Sequence, residues 1–282
     1  MSPLDFLSDS TEHELIFWDD FSLGQLDRSK WNVRTTGKIH NNEQQAYVDS
    51  TETIYILPEQ AIPGATNGAL VIHPRYHPGF KTPEGESFDF VSGRIDTNGK
   101  FDFKYGSAAI RMKLPTGSGL WPAFWALGYG KWPNSGEIDI MEYVGEPDWT
   151  SGAVHGPGYY GESGLVNKKF FTGSNDATSW HIYSVDWFPD KLIFKVDGET
   201  TYRVTHPMTR FFGSWAFDDN KYLLLNFALG GTYPFKTNGV QTPYYGLPES
   251  TVQSIKTNQI KIIVDWVQVR GLKNNPKVQT NR

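Results

Sequence analysis

The chain has 282 residues, enough for one large domain, and 15% of them are aromatic, with 10 Trp, 14 Tyr and 18 Phe beside 28 Gly and 17 Pro. A net charge of −5 excludes the basic footprint that a nucleic-acid partner requires and disfavours a polyanionic substrate. The absence of cysteine removes disulfides, thiolate metal sites and a Cys nucleophile, and no apolar run reaches membrane-spanning length.

Residues 1–14 are polar and acidic, without the basic start and apolar run of a secretory leader, and 1–13 read as a loose lead-in. Strand patterns then recur at 15–18, 69–73, 107–113, 123–127, 181–187, 191–197, 222–228 and 259–269. Val196-Asp197-Gly198-Glu199 is a hairpin signal, and Phe188-Pro189-Asp190-Lys191 is a second turn. The stretch 247–254 carries the helical signal, a single short turn, and the polar tail from 271 to 282 is expected to fray. No repeat and no Ser/Gly linker divides the chain, so 1–282 reads as one domain with an ordered core from about 14 to 270. Many short strands punctuated by turns predict an all-β sandwich of two antiparallel sheets, a jelly roll, rather than an alternating βαβ fold.

One strand carries chemistry. Gly136-Glu137-Ile138-Asp139-Ile140-Met141-Glu142 sets three carboxylates among β-branched residues, with no Lys or Arg inside the segment to neutralise them. By the period of two, Glu137 and Asp139 share a face while Ile138 and Ile140 take the other. Glu142 falls out of phase and would enter the core, unless an extra residue at Ile140 or Met141 bulges out and returns it to the face of Glu137. Paired carboxylates of this kind suit retaining glycoside hydrolysis, and like charges in a row push one pKa upward so that an acid keeps its proton. A calcium site or a solvated strand face is the alternative, but calcium takes six to eight oxygens from a wrapping loop, which a strand presents poorly.

Trp121, Ala123 and Trp125 share a strand face, where the small Ala123 leaves room for a ring; Trp is equally a core filler. Trp132 precedes a proline near a turn, which suits a cleft rim. Asn41 and Asn42 sit in a polar loop that solvent alone would explain, Arg94 suits a cross-strand ion pair, and His155 suits a structural hydrogen bond. None of the seven His residues has metal-ligand spacing.

The stretch 136–142 resembles the bulged Glu-x-Asp-x-x-Glu signature of glycoside hydrolase family 16, in its laminarinase-like form. Phe17-Trp-Asp-Asp-Phe21, Ser92-Gly-Arg-Ile95, Gly119-Leu-Trp-Pro-Ala-Phe-Trp125, Val154-His155, Leu225-Asn-Phe-Ala-Leu-Gly-Gly231 and Val264-Asp-Trp-Val267 surround it in the family's order. The resemblance implies a concave substrate cleft and endo-hydrolysis of a β-glucan with retention. Carried over by motif, Glu137 is the nucleophile, Glu142 the general acid/base and Asp139 the residue that orients and tunes the nucleophile. It also implies sugar contacts for Asn41, Asn42, Arg94, Trp121, Trp125, Trp132 and His155, with His155 bonding Glu142 or a leaving-group sugar. No cofactor is required for catalysis. A structural calcium is implied on the convex side, held by the backbone of Asp20 and Gly68 and by Asp265. The expected protein is a monomer, secreted or periplasmic after loss of a leader, with a β-glucan polysaccharide as partner and neither nucleic acid nor membrane. A neutral-galactan hydrolase, a transglycosylase and a non-catalytic β-glucan-binding jelly roll are the competing readings.

Overall fold

The computed structural model describes residues 13–36 and 39–272, and among them eighteen strands and three short α-helices follow in order. The first nine strands are β1 (His13–Asp19), β2 (Asn32–Val33), β3 (Gln45–Tyr47), β4 (Ile54–Pro58), β5 (Gly68–Ile72), β6 (Arg75–Lys81), β7 (Ser87–Ser92), β8 (Arg94–Asp96) and β9 (Gly106–Lys113). There follow β10 (Leu120–Gly128), β11 (Glu137–Glu142), β12 (Trp149–His155), β13 (Leu165–Phe170), β14 (His181–Trp187), β15 (Lys191–Val196), β16 (Glu199–Thr205), β17 (Lys221–Leu229) and β18 (Ile262–Leu272). The helices are α1 (His206–Thr209), α2 (Thr232–Asn238) and α3 (Glu249–Lys256).

Two antiparallel sheets face each other as a jelly-roll sandwich. One has the order β13-β12-β11-β10-β17-β8-β2; the other runs β16-β15-β14-β9-β18-β5-β4, with β1 also pairing along β18. Alternation decides which side chains lie between them: Leu223, Leu225, Phe227 and Leu229 of β17 and Ala108, Ile110 and Met112 of β9 all enter one core. On β18 the same alternation runs through Ile262 and Val264, slips at Asp265 and resumes at Val267 and Val269. The slip is a bulge, since Val264 opposes Met112 but Trp266 opposes Arg111.

The hairpin at 196–199 joins β15 to β16, with Asp197 (φ 50°) and Gly198 (φ 84°) both left-handed, as a two-residue turn between twisted strands requires. Three features depart from the sequence-based expectation. A third, small sheet β3-β7-β6 is present, and its β3 runs parallel to β7. The segment 232–238 is helix α2, although the helical signal in the sequence lies at 247–254, and it is closed by Gly239 in the left-handed region at φ 66°. Pairing also runs one or two residues past the expected core of about 14 to 270: His13 pairs with Leu272 and Glu14 with Gly271, because β1 zips along the end of β18 and satisfies its backbone groups. The remainder of the expected loose termini lies outside the described residues.

Candidate active site

Strand β11 lies between β10 and β12 in the seven-stranded sheet. Against β10 it pairs Glu137 with Leu127, Ile138 with Ala126 and Asp139 with Trp125, then jumps to Met141 with Phe124 and Glu142 with Ala123. Ile140 is the extra residue. Against β12, Asp139 opposes Ala153 while Glu142 opposes Ser151, so three steps on one strand match two on the other. The bulge therefore sits at Ile140, and it puts Glu142 on the face of Glu137 and Asp139 while Ile138, Ile140 and Met141 fill the core.

Indoles hold the two outer carboxylates. Trp132 Nε1 donates to Glu137 Oε2 at 2.8 Å, and Trp121 Nε1 donates to Glu142 Oε1 at 3.0 Å. Between them Asp139 is 3% exposed, and its Oδ2 stands 3.3 Å from His155 Nε2. His155, which opposes Glu137 across the β11–β12 ladder, thus faces Asp139 and not Glu142, the protein partner expected for it beside a leaving-group sugar. One donor atom each from Glu137, Asp139 and His155 lies within 4.8 Å of the others, the one such grouping among the described residues. Next to Glu142, Ser151 Oγ and Tyr233 OH are 3.0 Å apart, and the Tyr233 ring meets Trp121 edge to face at 5.7 Å.

These groups line a cleft of about 480 Å³ that runs across the sheet from β11 over β10 and β17 to β8. Trp121, Trp125, Trp132, Arg94 and Asn41 all line it. Asn42 does not: it lines a neighbouring hollow with Asp89 and Tyr244, because the 39–44 loop turns at Asn41 and Asn42, both left-handed, and sends their side chains apart. The Arg94 guanidinium covers the Trp125 ring at 5.1 Å and forms no ion pair among the described residues, so the cross-strand pair expected on residue type alone is absent. Its buried Nε carries no hydrogen bond. Trp132 is 41% exposed at the rim and meets Tyr160 edge to face at 5.3 Å.

Sequence reasoning missed a polar chain on the cleft floor. Trp125 Nε1 donates to Asn226 Oδ1 (2.7 Å), Asn226 Nδ2 to Tyr47 OH (3.0 Å), and Tyr47 OH to Glu43 Oε2 (3.2 Å). The signal for Asn226 was present in the chain: it is the polar residue on the face of β17 opposite Leu225 and Phe227. Nothing local marks Glu43 and Tyr47.

Burial sets the electrostatics. It pushes Glu137 up to about 8, helped by the Asp139 charge and opposed by His155 and the Trp132 hydrogen bond. Burial also holds Asp139 well above the usual carboxylate range, with the Glu142 charge adding to it. Glu142 is raised by burial too, against the Trp121 hydrogen bond and His155. Three carboxyl groups in so small a volume cannot all be ionised, so the trio keeps protons near neutrality and titrates as a unit. An arrangement that holds a protonated acid beside a carboxylate can protonate a leaving oxygen while attacking carbon.

The residues expected to hold calcium do not fit a cation. Asp265 is fully buried in the β18 bulge, where its Oδ1 accepts from Thr66 N (2.6 Å) and its Oδ2 from Thr66 Oγ1 (2.9 Å) and Arg111 Nη1 (2.5 Å). The Asp20 carbonyl faces the Gly68 N–H at 3.4 Å. A guanidinium already supplies the positive charge that Asp265 requires.

The fold and this trio in an aromatic cleft are those of an enzyme acting on saccharides, and comparison with known proteins agrees. The family model for glycosyl hydrolases family 16 matches residues 33–225. The chain is 34% identical over 278 residues to the glucan endo-1,3-beta-glucosidase A1 of Niallia circulans, covering 90% of this chain and 37% of that protein. With the beta-glucanase of Rhodothermus marinus it shares 33% identity over 240 residues, covering 80% of this chain and 79% of the relative. The X-ray structure of the endo-beta-1,3-glucanase from Pyrococcus furiosus superposes with a TM-score of 0.78 at 33% identity, over 92% of this chain and 95% of that one. The chain belongs to glycosyl hydrolases family 16, and it is a glycoside hydrolase.

Proposed function

We propose that this enzyme cleaves β-1,3-glucan internally, with mixed-linkage β-1,3/1,4-glucan as a second substrate, by double displacement with retention. The observation that carries the reading is the bulge at Ile140, which places Glu142 beside Glu137 and Asp139 in a tryptophan-lined cleft. With the proton of the trio on Glu142, the Glu137 carboxylate attacks the anomeric carbon while Glu142 gives that proton to the departing glycosidic oxygen, leaving a glycosyl ester on Glu137. Water, losing a proton to Glu142, then attacks the same carbon and frees Glu137. Asp139, fixed beside His155, orients Glu137 and resists a second ionised neighbour. Trp121 and the face of Trp125 that Arg94 leaves open offer flat surfaces on which pyranose rings stack, and the Arg94 and Asn41 side chains that line the cleft meet hydroxyl groups. The chemistry draws on side chains alone. A polymeric substrate suits a secreted or periplasmic monomer whose catalytic domain spans about residues 14–270.

Incubation with laminarin, barley β-glucan, lichenan, agarose, porphyran and xyloglucan tests this. Laminarin and the mixed-linkage glucans should yield shorter oligosaccharides whose new reducing ends appear first as the β anomer by proton NMR. Cleavage of agarose alone, or of none of the six, overturns the assignment. Products longer than the starting oligosaccharide would identify transfer to sugar instead of water.

A further inference from the structure

Lys221, the first residue of β17, is fully buried yet pairs with no carboxylate among the described residues. Its Nζ donates to two loop carbonyls instead, Ser135 O at 2.8 Å and Ala216 O at 3.0 Å. The Trp187 and Phe217 rings close the remaining side, 5.7 and 5.5 Å away. Two glycines keep this crossing open: a Cβ at Gly128 would fall 1.9 Å from Ser135 O, and one at Gly136 2.0 Å from Ala216 O. An ammonium without a carboxylate is a costly thing to bury, and folding alone favours an apolar residue there. Burial pushes its pKa down to about 8, against the nearby Asp219 and Asp218 charges.

The carbonyl that Lys221 holds belongs to the 131–136 turn, closed on itself by Ser135 N to Lys131 O and Gly136 N to Pro133 O. That turn carries Trp132, whose indole holds Glu137, and it ends directly before Glu137. Resting on the proposed role of Glu137, we propose that Lys221 is a positioning residue for the reaction: it pins the 131–136 turn to the 214–217 segment and so keeps the Trp132 indole on the nucleophile. Glu137 meets Asp139 and His155 as its charged neighbours, with Glu142 on the same face; of these His155 reaches the turn, its ring 6.3 Å from that of Trp132. The Trp132 hydrogen bond is the direct polar contact from the turn to the Glu137 carboxylate.

The test compares Lys221→Met, Trp132→Phe and the double variant with the wild type on laminarin. A hydrogen bond to a carboxylate lost in Lys221→Met should move the acid limb of kcat/KM upward by about one pH unit. Trp132→Phe should give the same shift, and the double variant no more. In parallel, the Trp132 indole N–H resonance, identified by its absence from Trp132→Phe, should titrate with Glu137 in the wild type and lose that response in Lys221→Met. Lys221→Gln, which keeps donors without the charge, should restore both. An acid limb and an indole titration unchanged in Lys221→Met overturn the proposal, whatever the rate. If Lys221→Met does not fold, Gly128→Ala, whose methyl collides with the Ser135 carbonyl, must produce the same shift or the proposal fails. The indole titration needs no substrate, so a wild type inactive on every glucan would overturn the functional reading and leave this one decided separately.

Discussion

Glu137 shows at the scale of one residue how an active site trades stability for chemistry. Its folded pKa of about 8 lies above the unfolded value of 4.5, so the folded protein keeps a proton that the unfolded chain has lost. This contribution to stability is complete below pH 4.5 and is lost as pH rises through about 8. Glu137→Gln, which cannot ionise, should melt several degrees above the wild type at pH 8.5 and close to it at pH 4.5, by calorimetry. The same variant should lose at least ~10³-fold in kcat/KM on laminarin, since no other group can form the ester. A variant with normal turnover would remove Glu137 from the mechanism. Trp121, Trp125 and Trp132 belong to this scale as well: all three indole N–H groups are spoken for, two by the carboxylates and one by Asn226, which leaves their ring faces to meet substrate.

At the scale of the element, β11 is built around a single surplus residue. Deleting Ile140 would restore plain alternation and keep Glu137, Asp139 and Glu142 on one face, two residues apart, at the loss of one buried side chain from the core. The deletion variant should therefore melt several degrees below the wild type yet keep measurable glucanase activity. A folded deletion variant without activity would mean that the bulge sets the spacing of Glu142 as well as its face. The bulge was legible from the chain because three carboxylates spaced two and three apart cannot share one face of a regular strand. Helix α2 was not legible, because Thr232-Tyr-Pro-Phe carries no capping side chain, and its start is set by Gly231 beside the 39–44 loop, where Asn41 O accepts from Thr232 N at 2.7 Å.

Across the whole molecule, the Arg111–Asp265 pair ties β9 to the β18 bulge and, through Thr66, to the segment that precedes β5. Arg111 also reaches Gly64 O at 2.8 Å and lies under the Trp180 ring at 4.6 Å, so its charge is held from both faces. Arg111→Ala leaves Asp265 buried with only Thr66 as partner, and chemical denaturation should read a loss of about 3 kcal/mol. A chelator should leave the melting temperature of the wild type unchanged, because no carboxylate there is free for a cation. A fall of several degrees on chelation would restore calcium to this position.

What the chain alone determined is what repeats over a few residues: nine of the eighteen described strands, the 196–199 turn, the displaced Glu142 and the pairing of Trp121 with Trp125 on one face. These follow from the period of two, which needs no knowledge of the neighbour across the sheet. Tertiary structure decided who stands opposite. Asn226 meets Tyr47 179 positions away, Asp265 meets Thr66 199 away, and Lys221 meets Ser135 86 away. His155 turns to Asp139, Asn42 leaves the cleft, and Asp265 takes an arginine, because each outcome depends on which strands close upon one another and how much water their packing expels. Local spacing carries no record of either.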